Sequence, residues 1–366
     1  MRSSLSRFAS LAIVAAVVTS CASAGGVPAG GSEPGPGQSS QTPAEQWPIN
    51  TYEHVDLWLH GFAMIQDDTT LVPYFKRGYK AEMLDIKRRA NVTTQLDANI
   101  TTLRNRLVQN PALVNAQFLP MYFGSLDEMV QALDLFERAD GNPRAASSQE
   151  AASLIALLAG YFPQGADRDW ARLYVQSIRD ENTRFYRSYW DQQQRERAST
   201  LTAVREQWQN MYRPRFERFL NNTSQAGGEI VLSLPLDGEG RTLSAGKRQN
   251  STAVTFPLRP ADAPEAIYVI AHELVGQIVQ TAVNDNVTPT DARNGLAERY
   301  IAAGTVRAGA ILLQQIAPGL SDGYARYYLR SANRTASSAT LANTFVLPDK
   351  IRDAIARQIE IVLGGI

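Results

Sequence analysis

The stretch Gly228–Ser244, "GEIVLSLPLDGEGRTLS", breaks the pattern of everything before it. It alternates, carries β-branched Ile230 and Val231, and holds Asp237-Gly238-Glu239-Gly240, a run with turn chemistry. A strand, a turn and a second strand are predicted. Ser251–Pro260, "STAVTFPLRP", supplies a further strand. Pro257 has no amide donor, so that strand, Val254–Leu258 above all, is expected at a sheet edge. The sequence on both sides has helical periodicity. The expected fold class is therefore mainly α with a small antiparallel β-sheet (α+β), the sheet lying between a helical first half and a helical second half.

Upstream, "YEHVDLWLHGFAMI" places Val55, Trp58, Leu59, Phe62 and Ile65 on one helix face. His54 and His60 fall in this helix and, with His272, are the only histidines. They point in different directions around a helix. Both are expected at its surface or boundary, with His60 beside Asp56 one turn back. A long charged helix follows from Asp167, with Trp170, Tyr174, Ile178, Phe185 and Tyr189 as an aromatic stripe. Asp180, Glu181, Asp191, Glu196 and Glu206 interrupt its arginines, so a solvated face over a packed stripe is expected rather than a nucleic-acid surface. Pro214 is expected to end or kink the last stretch.

Downstream, Ala261–Asn286, "ADAPEAIYVIAHELVGQIVQTAVNDN", predicts a largely buried helix capped by Asp262, with Pro264 and Glu265 in its first turn. It carries His272 and Glu273, and a buried carboxylate needs a partner or a raised pKa. Gly276 stands four residues after His272, and a helix-interior glycine costs about 1 kcal/mol relative to alanine. Close packing against Gly276, or room there for another group such as His54 or His60, is expected.

The N-terminus has Arg2 and Arg7, an apolar run from about Leu11 to Val18, and then small residues. The run is too short for a permanent membrane span and has the form of an export signal. Cys21 is the only cysteine, which excludes an intramolecular disulfide and a thiolate metal cage. Residues 22–46 are rich in Gly, Pro, Ser and Gln and cannot bury enough surface to fold, so a tether is expected. Without residues 1–20 the chain has 36 − 2 = 34 basic and 36 acidic side chains. A near-neutral body argues against nucleic acid as a partner. No later segment is expected to span a membrane. The expected division is 1–20 signal, 21–46 lipidated Cys and tether, 47–225 helical region, 226–366 small sheet plus helices.

Two resemblances refine this. Val18-Thr19-Ser20-Cys21 resembles the lipobox of bacterial lipoproteins, which implies lipidation of Cys21. Ala22 and Ser23 lack the aspartate that retains such proteins at the inner membrane, which implies anchoring in the outer membrane, facing the periplasm. The order strand, then His272-Glu273-Leu274-Val275-Gly276, then a further helix resembles the gluzincin branch of zinc metallopeptidases. That likeness covers about the last 140 residues and implies His272 as a metal ligand, Glu273 as general base and Glu298, 26 residues past His272 on a following helix, as the family's third ligand. It also implies Tyr324, Tyr327 or Tyr328 as a transition-state hydrogen-bond donor. Gly276 replaces the second histidine of H-E-x-x-H, leaving fewer than the three protein ligands usual for catalytic zinc. The expectation is therefore a degenerate, non-catalytic frame that binds a peptide or envelope protein at the Val254–Leu258 edge, with no cofactor. The alternatives are an active zinc peptidase completed by an unidentified ligand, and a helical lipoprotein unrelated to peptidases.

Overall fold

In the computed structural model, the residues described are 46–366, apart from 68–69, 245–249, 336–338 and 365–366. The signal, lipobox and Cys21 readings fall outside these residues, as does the tether apart from Gln46. Four short strands form one sheet: β1 Ile49–Asn50, β2 Gly228–Ser233, β3 Arg241–Ser244 and β4 Asn250–Thr255, in the order β1-β2-β4-β3. The fold class is mainly α, with 71% of the described residues helical and this sheet the only one among them.

The sheet is mixed, not antiparallel. β1 with β2 and β2 with β4 are parallel pairs, and only β3 with β4 is antiparallel. The segment Asp237–Gly240 therefore does not close a hairpin between β2 and β3. The chain leaves β2, passes the end of β4 and returns along its far side. Residues Pro73–Lys76 hold this crossover through Lys76 N–H to Pro235 O (2.9 Å), Asp237 N–H to Tyr74 O (2.7 Å) and Glu239 N–H to Pro73 O (3.2 Å). β4 is consequently an inner strand, and β3 is the edge. Pro257 follows the last ladder residue of β4, so its missing donor is never needed there. The outgoing strand ends are closed instead by Lys76 Nζ, which donates to Leu234 O (2.8 Å) and Phe256 O (3.0 Å).

Helices cover both faces of the sheet. Before it come α1 Glu53–Ile65, α2 Tyr79–Arg89, α3 Gln95–Gln109, α4 Leu126–Arg138, α5 Gln149–Tyr161, α6 Gly165–Glu181, α7 Arg187–Glu196, α8 Ala198–Gln207 and α9 Arg213–Asn222. After it come α10 Pro264–Leu274, α11 Gly276–Asn286, α12 Pro289–Arg293, α13 Leu296–Ile316, α14 Ser321–Ser331, α15 Leu341–Thr344 and α16 Asp349–Val362. Strand alternation sorts the core: Ile230, Leu232 and Val254 face one hydrophobic cluster, while Val231 and Ala253 face the other. The first cluster also takes Trp47, Val204, Trp208, Phe216 and Phe219. So α8 and α9 pack with the C-terminal helices, and the cores do not divide at residue 225. Glu45–Ile366 is one compact unit.

Several local expectations are corrected. The helix carrying Pro214 is not ended there; a π-helical turn at Trp208–Tyr212 precedes α9, and Pro214 sits in its first turn, where no donor is required. Asp262 does not cap α10 but pairs with Arg259 (2.8 Å). By length and composition the stretch Pro260–Asn286 could cross a membrane, yet 72% of its most apolar window is buried in the fold. Its apolarity is that of a core helix pair.

Candidate functional site

α10 packs along β4 and β3 and against α13 and α14. Near its C-terminal end His272 is 1% exposed. Its Nδ1 lies 2.9 Å from Glu273 Oε1, and the same oxygen accepts the Gly240 N–H at 3.0 Å. A carboxylate oxygen only accepts, so Nδ1 is the donor; Nε2 carries the lone pair in the neutral ring and a second N–H in the imidazolium. That nitrogen is buried without a hydrogen-bond partner and faces Glu239 Oε1 at 3.7 Å. One ligand atom from each of Glu239, His272 and Glu273 falls within 4.8 Å of the others. Burial works against an imidazolium here, but the Glu239 and Glu273 carboxylates outweigh it and raise the His272 pKa above its ordinary value.

The segment that brings Glu239 to His272 depends on Gly240. A Cβ there would collide with the Ala253 carbonyl oxygen and crowd the Glu273 side chain. Glycine allows the crossover to lie directly against β4 and α10. On the other side the Tyr328 ring stacks on His272, with centroids 5.2 Å apart and planes 18° apart. Its hydroxyl donates to Gly238 O at 3.1 Å. The crossover and α14 thus enclose the imidazole together.

The other site residues predicted from sequence are placed differently. Glu298 is exposed in the first turn of α13, outside the His272 cluster. The acidic partner is Glu239, which sequence patterning assigned to a turn. Tyr324 and Tyr327 donate to Val306 O (2.9 Å) and Asp237 Oδ1 (3.3 Å). All three tyrosine hydroxyls therefore already have acceptors, and burial raises their pKa values well above 10.0.

Neither N-terminal histidine is committed to His272, and both are buried rather than at the helix surface. His54 Nε2 bonds Phe123 O at 2.9 Å. His60 bonds Tyr79 Oη at 3.0 Å and Glu181 Oε1 at 2.9 Å, not Asp56. Asp56 instead accepts from Ser233 Oγ, Leu234 N–H and Trp190 Nε1. Gly276 is not closely packed: a Cβ there would meet nothing within 4 Å, and Val275 interrupts the helix just before it. A cavity of about 440 Å³ between α1, Pro73–Gly78 and α2 includes no residue of the His272 cluster. Family models, curated proteins and solved structures provide no match to this chain.

Proposed function

We propose that the chain is a non-catalytic binding protein on a metallopeptidase-like frame, and that it takes an extended peptide along the free edge of β3. The observation that carries this is the pair of bonds on Glu273 Oε1, to His272 Nδ1 and to Gly240 N–H. A general base must reach the proton it removes, and this carboxylate is turned to the Nδ1 side of the ring and to the strand entry. The near-complete burial of His272 supports the same conclusion.

β3 suits the binding role. It pairs only with β4 among the described residues, and all four of its residues are partly or fully exposed. An unpaired edge offers backbone donors and acceptors to an added strand. The docking edge is therefore Arg241–Ser244, displaced from the Val254–Leu258 edge expected from sequence. Arg241 is pinned by Tyr74, whose Oη lies 3.1 Å from Nη2, and this keeps the edge ordered at its first residue. We further propose lipidation at Cys21 and an outer-membrane tether facing the periplasm, on the lipobox resemblance alone.

Proline scanning tests the edge. Successive strand residues alternate their N–H direction, so of Thr242→Pro and Leu243→Pro one breaks the β4 ladder and the other removes an outward donor. In capture from a mixture of extended peptides, the outward variant should stay folded and lose binding, and no peptide should be cleaved. Unchanged capture in both variants would sink the proposal. So would chelator-sensitive cleavage that disappears in Glu273→Gln, which would establish the active peptidase instead.

A further inference from the structure

We infer that the peptide taken along β3 carries an acidic side chain in the position beside Arg241, and that Arg241 selects it by a charge-assisted contact. The inference rests on the edge-binding reading above and names what that edge prefers. It starts from register. Arg241 pairs with Ala253, which pairs with Val231, and Leu243 pairs with Ser251, which pairs with Glu229. Paired residues lie on one face, so Arg241 and Leu243 end two neighbouring rows on the face that carries Val231 and Ala253.

The first row ends in a cation with spare donors. The Arg241 guanidinium lies over the rings of Phe118 and Tyr74, 5.6 and 6.0 Å from their centroids. Its one hydrogen bond among the described residues runs from Nη2 to Tyr74 Oη at 3.1 Å, and a guanidinium has further N–H groups to donate. No carboxylate pairs with it among the described residues. Glu229, an acid on the same face, is occupied elsewhere. Its Oε2 accepts from Asn50 Nδ2 (3.1 Å) and Tyr52 Oη (2.8 Å), and its Oε1 from Ser251 Oγ (3.1 Å).

A guanidinium covered by aromatic rings keeps its in-plane donors for a carboxylate, which it can take bidentately. The rings and the Tyr74 bond fix the side chain before a ligand arrives, so little rotamer freedom is lost on binding. A strand added outside β3 extends both rows. Its side chain beside Arg241 has a Cβ about 4.5–5.5 Å away, within reach for Asp or Glu, whereas Lys or Arg there meets like charge. Two residues along, the side chain beside half-buried Leu243 meets an apolar partner. The residue between projects to the opposite face, beside Thr242, whose hydroxyl already shares a hydrogen bond with Thr252 at 3.0 Å. The preferred ligand is therefore an extended segment with an acidic and an apolar residue two positions apart.

The test uses the full chain and short, terminally blocked Thr/Val/Ser peptides that differ only in a central Glu, Gln or Lys, with affinity read by fluorescence anisotropy. The Glu peptide should bind about 10-fold tighter than the Gln peptide, as one charge-assisted hydrogen bond provides. The Lys peptide should bind most weakly, and high salt should shrink the gap between Glu and Gln. Arg241→Gln should bring the Glu/Gln affinity ratio to about one, and Arg241→Glu should turn the preference toward Lys. Circular dichroism checks that each variant is folded; if neither folds, the ratio in the unmodified chain at low and high salt decides. Equal affinity for the Glu and Gln peptides, or a Glu preference that persists in folded Arg241→Gln, would overturn the assignment and leave strand addition standing. If no peptide binds, or binding survives the outward proline variant unchanged, the edge reading itself fails and this inference with it.

Discussion

Neighbouring residues on a helix point about 100° apart, so His272 and Glu273 do not share a face. Their contact is made because α10 ends at Leu274 and both side chains turn toward the crossover strand. Two glycines test this local account from opposite directions. Gly240→Ala places a methyl group against the Ala253 carbonyl, and an overpacking loss of about 1–3 kcal/mol is expected in urea unfolding, together with weaker peptide capture. A neutral result would show that the crossover can lift away from β4. Gly276→Ala meets open space in helical backbone and should be neutral or stabilising by up to about 1 kcal/mol. Marked destabilisation there would reveal a neighbour of Gly276 that the structure does not contain. Sequence showed His272 and Glu273 as a pair requiring partners, but Glu239 was hidden. Asp-Gly-Glu-Gly has the composition of a turn, and nothing local marks it as a segment crossing a strand end.

Among the elements, α1, α2, α3 and α6 meet at a buried polar knot. Glu181 receives His60 and both contacts of Lys87, and Lys87 also reaches Asp97 at 2.7 Å. Thr94, which caps α3 and receives the Asp97 N–H, bonds Glu181 as well. Removing the Glu181 charge strands two nitrogen-bearing side chains, so Glu181→Gln should cost about 3–5 kcal/mol. Burial pushes the Glu181 carboxyl up, but His60 and then Lys87 outweigh it and hold it at about 2, against 4.5 unperturbed. A depressed carboxylate stabilises the fold above its unfolded pKa and loses that contribution as pH falls from 4.5 through about 2. Urea midpoints at pH 7 and pH 3 should therefore converge between the wild-type chain and Glu181→Gln. A gap that stays constant would mean that Glu181 is not held low. The helices themselves were legible from periodicity: Trp170 and Tyr174 stack at 5.0 Å within the predicted stripe. Strand direction was not, because alternation says which face a residue takes and nothing about whether its neighbour runs with it or against it. The His60–Glu181 pair, 121 residues apart, leaves no sequence pattern at all.

At the scale of the molecule, the sheet joins the two helical regions. β1 comes from the N-terminal side and lies beside β2, with Ile49 opposite Ile230 and Asn50 opposite Val231. Trp47 and Ile49 belong to the hydrophobic cluster that also holds α10 and α13 residues. Fragments 46–225 and 226–366 should each fail to fold alone, since the first would keep only β1 and expose its side of both shared clusters, and the second would lose β1 and the helices that cover one face of the sheet. The intact body should unfold in a single transition, with far-ultraviolet dichroism and tryptophan fluorescence coinciding. Two separated transitions would show that the halves are independent after all.

Trp47 has a mechanical consequence. Its indole donates to Gln225 O at 3.1 Å, its carbonyl accepts from Trp208 Nε1 at 3.0 Å, and Arg205 holds the Ile49 carbonyl at 3.0 Å. Any tension drawn through the N-terminal side of the chain reaches this wedge before it reaches the sheet. β1 has only two paired residues and would peel readily on its own. With an aromatic plug ahead of it, a pull must first extract Trp47 from the core, so the body should withstand tugging from its N-terminal side as a cleat holds a rope.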